Sequence, residues 1–339
     1  MSNSPPIEAE GLVRTFGEVR AVDGVDLVVN AGEIYGFLGP NGAGKSTTVR
    51  MLTTLLKPTS GRARVAGHDV VAEAAAVRRA IGVALQDAAI DPILTGRELL
   101  SLQAVLHGIN RKQGKARSEQ LLERVGLTAA ADRRVGTYSG GMRRRLDLAL
   151  SLIHEPSVLF LDEPTTGLDP TSRQSLWEEV RRLNADGTTV LLTTQYLEEA
   201  DQLAHRIGII DGGKLVQEGV PATLKAAVGD PTLRVDVDAG HAEAARAVLA
   251  AHGEERPARA GRVAIGLRGG AESLPAVVRA LDEAGIRIQH MELDAPSLDD
   301  VFAEATGRRL EGADAAAPDS ESDSGPAAAT DVDAHRGRP

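Results

Sequence analysis

The chain has 339 residues, 42% hydrophobic and 25% charged, a balance typical of a soluble globular protein of about two domains. It contains no cysteine, which excludes disulfides, thiolate metal ligands and a cysteine nucleophile. The eight histidines are scattered singly, so we expect no metal site made by protein ligands alone, and the net charge of −10 argues against nucleic-acid binding.

No apolar run reaches the roughly 18 residues that a membrane span needs. The first ten residues have neither a basic end nor an apolar stretch, so we predict no signal peptide and expect the protein to stay in the cytosol. Residues 311–339 contain seven acidic residues and two arginines without an apolar period, which predicts a disordered acidic tail.

Apolar strands alternate with helical stretches from residue 7 onwards. AGEIYGFLGP, SVLFLDEP and TTVLLTT predict buried strands, and RIGIIDGGKLV predicts a hairpin with a Gly-Gly turn. This alternation indicates an α/β domain over residues 7–227 with a mainly parallel sheet. Residues from about 88 to 150 interrupt the alternation with helical segments such as TGRELLSLQAVLHG, which predict a helical subdomain inserted between two strands.

The pattern changes near residues 228–232, VGDPT. TLRVDVD, RVAIGLR and IRIQHMELD alternate apolar and polar residues at period two and are separated by helical segments. They predict a small α+β domain over residues 231–308, which closes with the helix SLDDVFAEATGR.

GPNGAGKST matches the pattern G-x-x-x-x-G-K-[ST] between a predicted strand and a helix, and we call it the phosphate loop. Its glycines let successive backbone N–H groups point at phosphate oxygens, and the following helix adds its N-terminal dipole. We expect Lys45 to reach the β- and γ-phosphates, Ser46 to bind Mg²⁺ and Thr47 to donate on the α-phosphate side. The predicted nucleotide-binding residues of the loop are Gly39, Pro40, Asn41, Gly42, Ala43, Gly44, Lys45, Ser46 and Thr47.

The segment VLFLDEP supplies a pair of acids, Asp162 and Glu163, at the end of a buried strand. The carboxyl ends of strands are where open α/β sheets bind ligands. We expect Asp162 to hold Mg²⁺ through water, and Glu163 to be the base that orients and polarises the attacking water. An acidic pair at a strand end is weak evidence for a nucleotide site when it occurs alone. Together with the phosphate loop it is strong evidence.

The segment YSGGMRRRLDLAL predicts a helix with Ser139 as its N-cap. Gly140 and Gly141 lie in the first turn, where each costs about 1 kcal/mol relative to Ala. Bare amides at a helix N-terminus can bind an anion. The alternative, a plain helix cap, leaves the cost of the two glycines unexplained. We call residues 139–141 the Ser-Gly-Gly turn.

The Ser-Gly-Gly turn before LFLDEPTTGLDP, with a glutamine loop ahead of it, resembles the nucleotide-binding subunit of ABC transporters over about residues 7–225. The resemblance implies that this turn closes over the γ-phosphate of ATP held by another subunit, where a side chain would block the phosphate. It implies that Gln86 in VALQDAAI contacts Mg²⁺ and the attacking water, and that Asp169 in GLDP crosses the dimer interface. Phe16, in a glycine-flanked turn, occupies the place of an adenine-stacking aromatic, although ordinary core packing is an alternative.

The sequence departs from that family's usual pattern. Met142 replaces the usual Gln of the signature and Tyr138 the usual Leu, from which we expect little functional change. Gln195 occupies the place of the switch histidine; its amide can donate to a phosphate oxygen but cannot become cationic, so we expect measurable but slow hydrolysis. The run 143–145 of three arginines has two interpretations, a solvated face or a positive field near the partner's phosphates.

The segments DRRVGTYSGGMRRRLDLALSLI, TTQYLEEADQLAHRI and PSLDDVFAEATGR resemble the ATPase subunit of daunorubicin-resistance-type drug exporters. This resemblance implies an ATP- and Mg²⁺-dependent ATPase that works as a homodimer or ABC-subunit dimer, with a separate membrane permease, on the cytoplasmic face of the cell membrane. The alternatives are export of lipid or polysaccharide, a soluble ABC regulator without a transport role, and a nucleotide sensor in which Gln195 abolishes hydrolysis.

Overall fold

Strands and helices alternate along the chain as far as residue 228, and a smaller unit follows. The computed structural model describes residues 4–85, 90–256, 258 and 262–308. In this part of the chain the strands are β1 Ile7–Phe16, β2 Val19–Val29, β3 Ile34–Leu38, β4 Ser60–Val65, β5 His68–Asp69, β6 Ile81–Ala84, β7 Val158–Asp162, β8 Thr189–Thr194, β9 Arg206–Asp211, β10 Lys214–Gly219, β11 Thr232–Val237, β12 Gly253–Arg256, β13 Arg262–Leu267 and β14 Ile288–Asp294. The helices are α1 Lys45–Leu52, α2 Ala74–Ala80, α3 Gly96–Leu106, α4 Arg111–Arg124, α5 Gly140–Leu152, α6 Pro170–Ala185, α7 Leu197–Leu203, α8 Pro221–Val228, α9 Ala242–Leu249, α10 Leu274–Glu283 and α11 Leu298–Thr306.

A six-stranded sheet in the order β10-β9-β3-β8-β7-β6 forms the centre of the first unit. Its strands are parallel except β10, which forms an antiparallel hairpin with β9 at one edge. β3, β7 and β8 are buried along their whole length, as expected for continuous apolar runs inside a parallel sheet. The strands predicted from these runs, and the hairpin with its turn at Gly212 and Gly213, are confirmed.

A second sheet of the first unit, in the order β2-β1-β4-β5, is antiparallel. The sequence did not predict it as a separate layer, because β1 and β2 carry charged residues among their apolar ones and leave one face partly exposed. Helix α1 contacts β2 and β4 of this sheet and β7 of the central sheet. One apolar core joins the layers, and its largest members include Tyr35, Phe37, Met51 and Phe160.

Helices α3, α4 and α5 form the helical segment that the sequence predicted between two sheet strands. Their shared apolar core includes Leu100, Leu122, Tyr138 and Leu146. Helix α5 also joins this segment to the central sheet, because Leu148 and its neighbours pack in a different cluster with residues of β7, β8 and α6. Helix α5 therefore contributes side chains to both cores.

The unit after residue 231 has the element order β11-α9-β12-β13-α10-β14. Its strands form an antiparallel sheet in the order β12-β13-β11-β14, which is the arrangement of the split βαβ, or ferredoxin-like, motif. Alternate residues such as Leu233, Val235, Val263 and Ile265 face a core shared with α9 and α10. The α+β character predicted from the period-two strands is therefore present.

Helix α11 follows the small sheet in the chain but packs against the first unit. Its buried residues Leu298, Val301 and Phe302 lie in one cluster with Leu38 of β3 and Leu224 of α8. The prediction that this helix belongs to the 231–308 domain does not match its packing, because sequence patterns do not reveal such a long-range contact. Among the helices that the structure describes, none is both long and apolar enough to cross a bilayer.

Candidate functional site

The phosphate loop connects β3 to α1 and is held closely by neighbouring backbone. Gly42 and Gly44 have φ values of +80° and +109°, in the left-handed region that favours glycine. A Cβ atom on Gly39 would lie 2.3 Å from the carbonyl oxygen of Ile210, and one on Gly44 would lie 2.5 Å from that of Ala21. The turn therefore favours glycine at position 42, close packing requires it at position 39, and both reasons apply at position 44.

Lys45 begins α1 and points back into the loop. Its Nζ donates to the carbonyl oxygens of Gly39 at 2.7 Å and Pro40 at 3.0 Å, and lies 3.3 Å from Oε1 of Glu163. Burial lowers the pKa of Lys45, and the charge of Glu163 opposes that shift. Beside this cluster, a cavity of about 220 Å³ is lined by Glu163, Ala21 and most of the phosphate loop. The loop lysine and the acidic strand end thus share one site.

Asp162, at the end of β7, contacts the start of helix α1 that follows the phosphate loop. Its Oδ1 accepts hydrogen bonds from Ser46 Oγ at 3.1 Å and from Thr193 Oγ1 at 2.5 Å. Sequence reasoning identified Ser46 and Asp162 but missed Thr193. The available signal was strand register, since Thr193 of β8 pairs with Asp162 of β7.

Glu163 has a backbone φ of +46°, in the left-handed region that non-glycine residues rarely adopt. Its N–H donates to Thr193 O at 3.1 Å and Thr193 Oγ1 at 3.0 Å. Thr166 donates from Oγ1 to Glu163 Oε2 at 3.3 Å. These contacts direct the carboxylate towards Lys45, on the side where the phosphate loop lies.

Gln195 follows β8 at the same sheet edge as the phosphate loop and is half-buried. The N–H of Gly39 donates to the carbonyl oxygen of Thr194 at 3.2 Å, which joins the two segments directly. Gln86, the other predicted glutamine of the site, lies outside the described residues.

The Ser-Gly-Gly turn forms the N-terminus of α5, where Ser139 Oγ accepts from the N–H of Met142 at 3.2 Å. The two glycines differ. A Cβ on Gly141 would lie 2.8 Å from Ser172 Oγ of α6, whereas a Cβ on Gly140 would meet nothing within 4 Å. Packing inside the chain therefore explains Gly141, and this contact with another helix is not visible in the sequence. It does not explain Gly140.

Asp169 and Phe16 lie on the surface. Asp169 is the N-cap of α6, where it accepts from the N–H and the hydroxyl of Ser172 at 2.9 and 2.6 Å. Phe16 ends β1, is 46% exposed, and has the guanidinium of Arg14 at 4.5 Å from its ring centroid. The alternative interpretation of Phe16 as a core residue is therefore wrong.

The three arginines of the run 143–145 have three different environments, because successive helical residues point about 100° apart. Arg143 is exposed, Arg144 is turned towards β7, and Arg145 donates to the carbonyl oxygen of Val125 at 3.0 Å. Their interpretation as a solvated face is wrong for Arg144 and Arg145. The unusual Tyr138 of the signature belongs to the core of the helical segment and donates to Ala130 O at 2.7 Å.

Comparison with known proteins identifies the chain's relatives. The family model for the ABC transporter matches residues 22–166, and that for the ATP-binding protein DrrA1-3-like, C-terminal domain, matches residues 219–306. The chain is 50% identical over 304 residues to the daunorubicin resistance ATP-binding protein DrrA3 of Streptomyces coeruleorubidus. The aligned region covers 89% of this chain and 96% of that protein. It is 43% identical over 308 residues to the doxorubicin resistance ATP-binding protein DrrA of Mycobacterium tuberculosis, covering 88% and 93% respectively.

Solved structures show the same fold for the first unit. A dimeric ATP-binding cassette in a post-hydrolysis state, bound to ADP and Pi, superposes with a TM-score of 0.59 at 25% identity, and covers 63% of this chain and 98% of that one. The loop lysine, the acidic strand end and these relatives lead to one conclusion. The chain belongs to the ATP-binding subunits of ABC transporters, in the group of the daunorubicin resistance ATP-binding proteins, and it is an ATPase.

Proposed function

We propose that this subunit drives the export of a drug or antibiotic-like compound through a separate membrane permease. The names of its relatives support the cargo class, since proteins 50% and 43% identical to it are named for daunorubicin and doxorubicin resistance. The proposal that it is a motor rests on one observation, the hydrogen bond that joins Ser46 of the phosphate loop to Asp162 of the acidic strand.

In this proposal the phosphate loop binds ATP and its lysine neutralises charge on the β- and γ-phosphates. The oxygens of Ser46 and Asp162 lie 3.1 Å apart at the loop, and a hydroxyl beside a carboxylate is a donor set that suits Mg²⁺. Ser46, Asp162 and Gln86 are the proposed Mg²⁺ residues. The ion, when bound, supplies positive charge to the phosphates.

Glu163 is the proposed general base, which accepts a proton from the attacking water at its carboxylate. The hydrogen bonds from Thr193 and Thr166 hold its backbone and its side chain. Gln195 donates from its amide to a phosphate oxygen but carries no charge, so hydrolysis is slow. Gln86 is proposed to orient the water.

Two copies are proposed to hold two ATP molecules between them. Each phosphate loop then faces the Ser-Gly-Gly turn of the partner, where the open position at Gly140 leaves space for a phosphate. Asp169 lies at the interface, and the exposed ring of Phe16 stacks on adenine. ATP closes the dimer because it binds both faces, and hydrolysis removes that link.

The proposed domains correspond to the units of the chain. In this proposal residues 7–227 form the ATPase domain with the helical subdomain at about 88–150, and residues 231–308 form the small C-terminal domain. The predicted disordered acidic tail, residues 311–339, lies outside the described residues. The helical subdomain passes its movement to the permease at the cytoplasmic face of the membrane.

Drug susceptibility tests the proposal. Cells that express this chain with the permease encoded beside it should tolerate an anthracycline-type drug better than cells that express Lys45→Ala with the same permease. Equal susceptibility would contradict drug export. A lipid or polysaccharide cargo would instead appear as a Lys45-dependent change in the cell envelope, and recovery of ribosomes without a permease would indicate a soluble regulator.

A further inference from the structure

Arg144 is the one member of the run 143–145 that reaches the end of β7. Its guanidinium donates to Asp162 O from Nη2 at 2.9 Å and to Pro164 O from Nε at 2.9 Å. Nη1 donates to Leu85 O at 2.7 Å, next to Gln86 in the chain. One side chain of α5 therefore binds carbonyl groups of two other segments of the chain, the residue after β6 and the acidic strand end.

The two carbonyl groups at the strand end belong to the residues on either side of Glu163. The residue between them has the left-handed φ of +46°. Such a backbone is unfavourable for a non-glycine residue and persists only where the surroundings enforce it. The planar guanidinium bridges the bend from Asp162 to Pro164, so it stabilises the conformation that directs the carboxylate of Glu163 towards Lys45.

Arg144 is itself fixed by a buried ion pair. Its Nη1 lies 3.1 Å from Oδ2 of Asp147 one helical turn later, and the two side chains are 13% and 12% exposed. Burial lowers the pKa of Arg144 and raises that of Asp147 to about 6, where the charge of Arg144 opposes the rise. Asp147 lies between two spaces, a cavity of about 270 Å³ beside Glu163 and a groove of about 620 Å³ between the helical segment and the central sheet.

We propose that Arg144, fixed by Asp147, is a positioning residue for hydrolysis, which holds Glu163 by the carbonyl groups on its two sides. The proposal rests on the proposed role of Glu163 as the base. It assigns the buried pair a function distinct from that of the Ser-Gly-Gly turn on the same helix. As a positioning residue, Arg144 does not contact ATP or the attacking water and acts only through Glu163.

The first test is a split between kcat and KM of the full-length protein. Arg144→Gln should lower kcat for ATP about tenfold or more, because displacing a catalytic group by about 1 Å costs on the order of 100-fold, and should leave KM within about twofold. Arg144→Lys should restore little of the lost kcat, since an ammonium cannot reach both carbonyl groups in one plane. Asp147→Asn should give an intermediate loss. Arg182→Gln removes the same charge from an exposed part of α6 and should leave kcat unchanged.

The second test is a double-mutant cycle measured in single turnovers with labelled ATP. In the Glu163→Gln background, Arg144→Gln should change the residual rate by less than about twofold, because the group that it positions is gone. Equal fold-losses in both backgrounds, or an unchanged kcat in Arg144→Gln, would overturn the inference. If Arg144→Gln does not fold, Arg144→Lys or Asp147→Asn replaces it in the same double-mutant cycle. If Glu163→Gln alone keeps the full rate, the proposed role of Glu163 fails instead.

Discussion

Ser46 and Asp162 are 116 positions apart in the chain, but the hydroxyl of Ser46 donates to Oδ1 of Asp162 at 3.1 Å. The contact brings the helix after the phosphate loop to the end of the acidic strand. Thr193 donates to the same oxygen from the neighbouring strand, so Asp162 is held from both sides. This shared carboxylate oxygen connects nucleotide binding with the segment that carries Glu163.

Replacing Ser46 should therefore weaken the response to magnesium. We expect Ser46→Ala to raise the Mg²⁺ concentration for half-maximal ATPase activity by about tenfold or more, because a hydroxyl beside the carboxylate is lost. Phosphate release measured over a Mg²⁺ titration checks this. Ser175→Ala, which removes an exposed hydroxyl from α6, is the matched control. An unchanged Mg²⁺ requirement would argue against Ser46 as a Mg²⁺ residue.

The two glycines of the Ser-Gly-Gly turn should respond differently to alanine. Gly140→Ala adds a methyl group in open space, so the melting temperature should stay or rise, since Ala favours a helix over Gly by about 1 kcal/mol. Its ATPase activity should nevertheless fall strongly, because that methyl group would face the partner's phosphate.

Gly141→Ala is the contrasting variant. Its Cβ would lie 2.8 Å from Ser172 Oγ, so it should melt at a lower temperature than the unmodified protein. Differential scanning fluorimetry with a phosphate-release assay separates the two effects. Full activity in Gly140→Ala would contradict the proposal that the turn contacts phosphate.

Gln195→His should raise kcat about tenfold, which corresponds to about 1.4 kcal/mol of transition-state stabilisation. The reason is that an imidazole can take up a proton and a glutamine amide cannot. The assay is steady-state phosphate release, with Glu163→Gln as the inactive control. An unchanged rate would show that the switch side chain does not limit hydrolysis. If the unmodified protein hydrolyses ATP as slowly as Glu163→Gln, the result would favour the alternative in which the chain is a nucleotide sensor.

The buried Asp147 predicts a pH-dependent difference in stability between the protein and Asp147→Asn. Burial raises the folded-state pKa of Asp147 from 3.8 to about 6, so the native state binds the proton more tightly than the unfolded chain. The favourable contribution of the protonated carboxyl group is complete below about pH 4 and is lost as pH rises through about 6.

Between pH 4 and pH 7 the unmodified protein should therefore lose about 2 kcal/mol of unfolding free energy relative to Asp147→Asn. Urea unfolding of both proteins over this range measures the difference. Arg144 is the ion-pair partner, and the other charged or titratable residues that line the groove are Arg78, Asp91, His107 and His154. They are present in both proteins and cancel in the comparison. A constant difference would contradict the raised pKa.

The parts that the sequence predicted best are those with strong local signals. Continuous apolar runs marked β3, β7 and β8, because both faces of a central parallel strand are covered. The phosphate loop was recognisable because its glycines, its lysine and its place between strand and helix all follow from binding one anion.

Other features depend on contacts that sequence spacing does not encode. Three consecutive arginines look alike in a sequence, and only the rotation of α5 against β7 decides that Arg144 holds the carbonyl groups around Glu163. The reason for Gly141 lies in Ser172 of another helix, and α11 packs on Leu38 of a strand far away in the chain. Thr193 becomes part of the site through strand register alone.

In the proposed dimer ATP is held between two copies of this chain, by the phosphate loop of one and the Ser-Gly-Gly turn of the other. The most direct measurement is the mass of Glu163→Gln protein in solution, by size-exclusion chromatography with light scattering. Without nucleotide we expect the 35.5 kDa monomer, and with saturating Mg-ATP a species of twice that mass, which Gly140→Ala in the same protein abolishes. A monomer at saturating Mg-ATP that also shows no pairing beside its permease would contradict the claim.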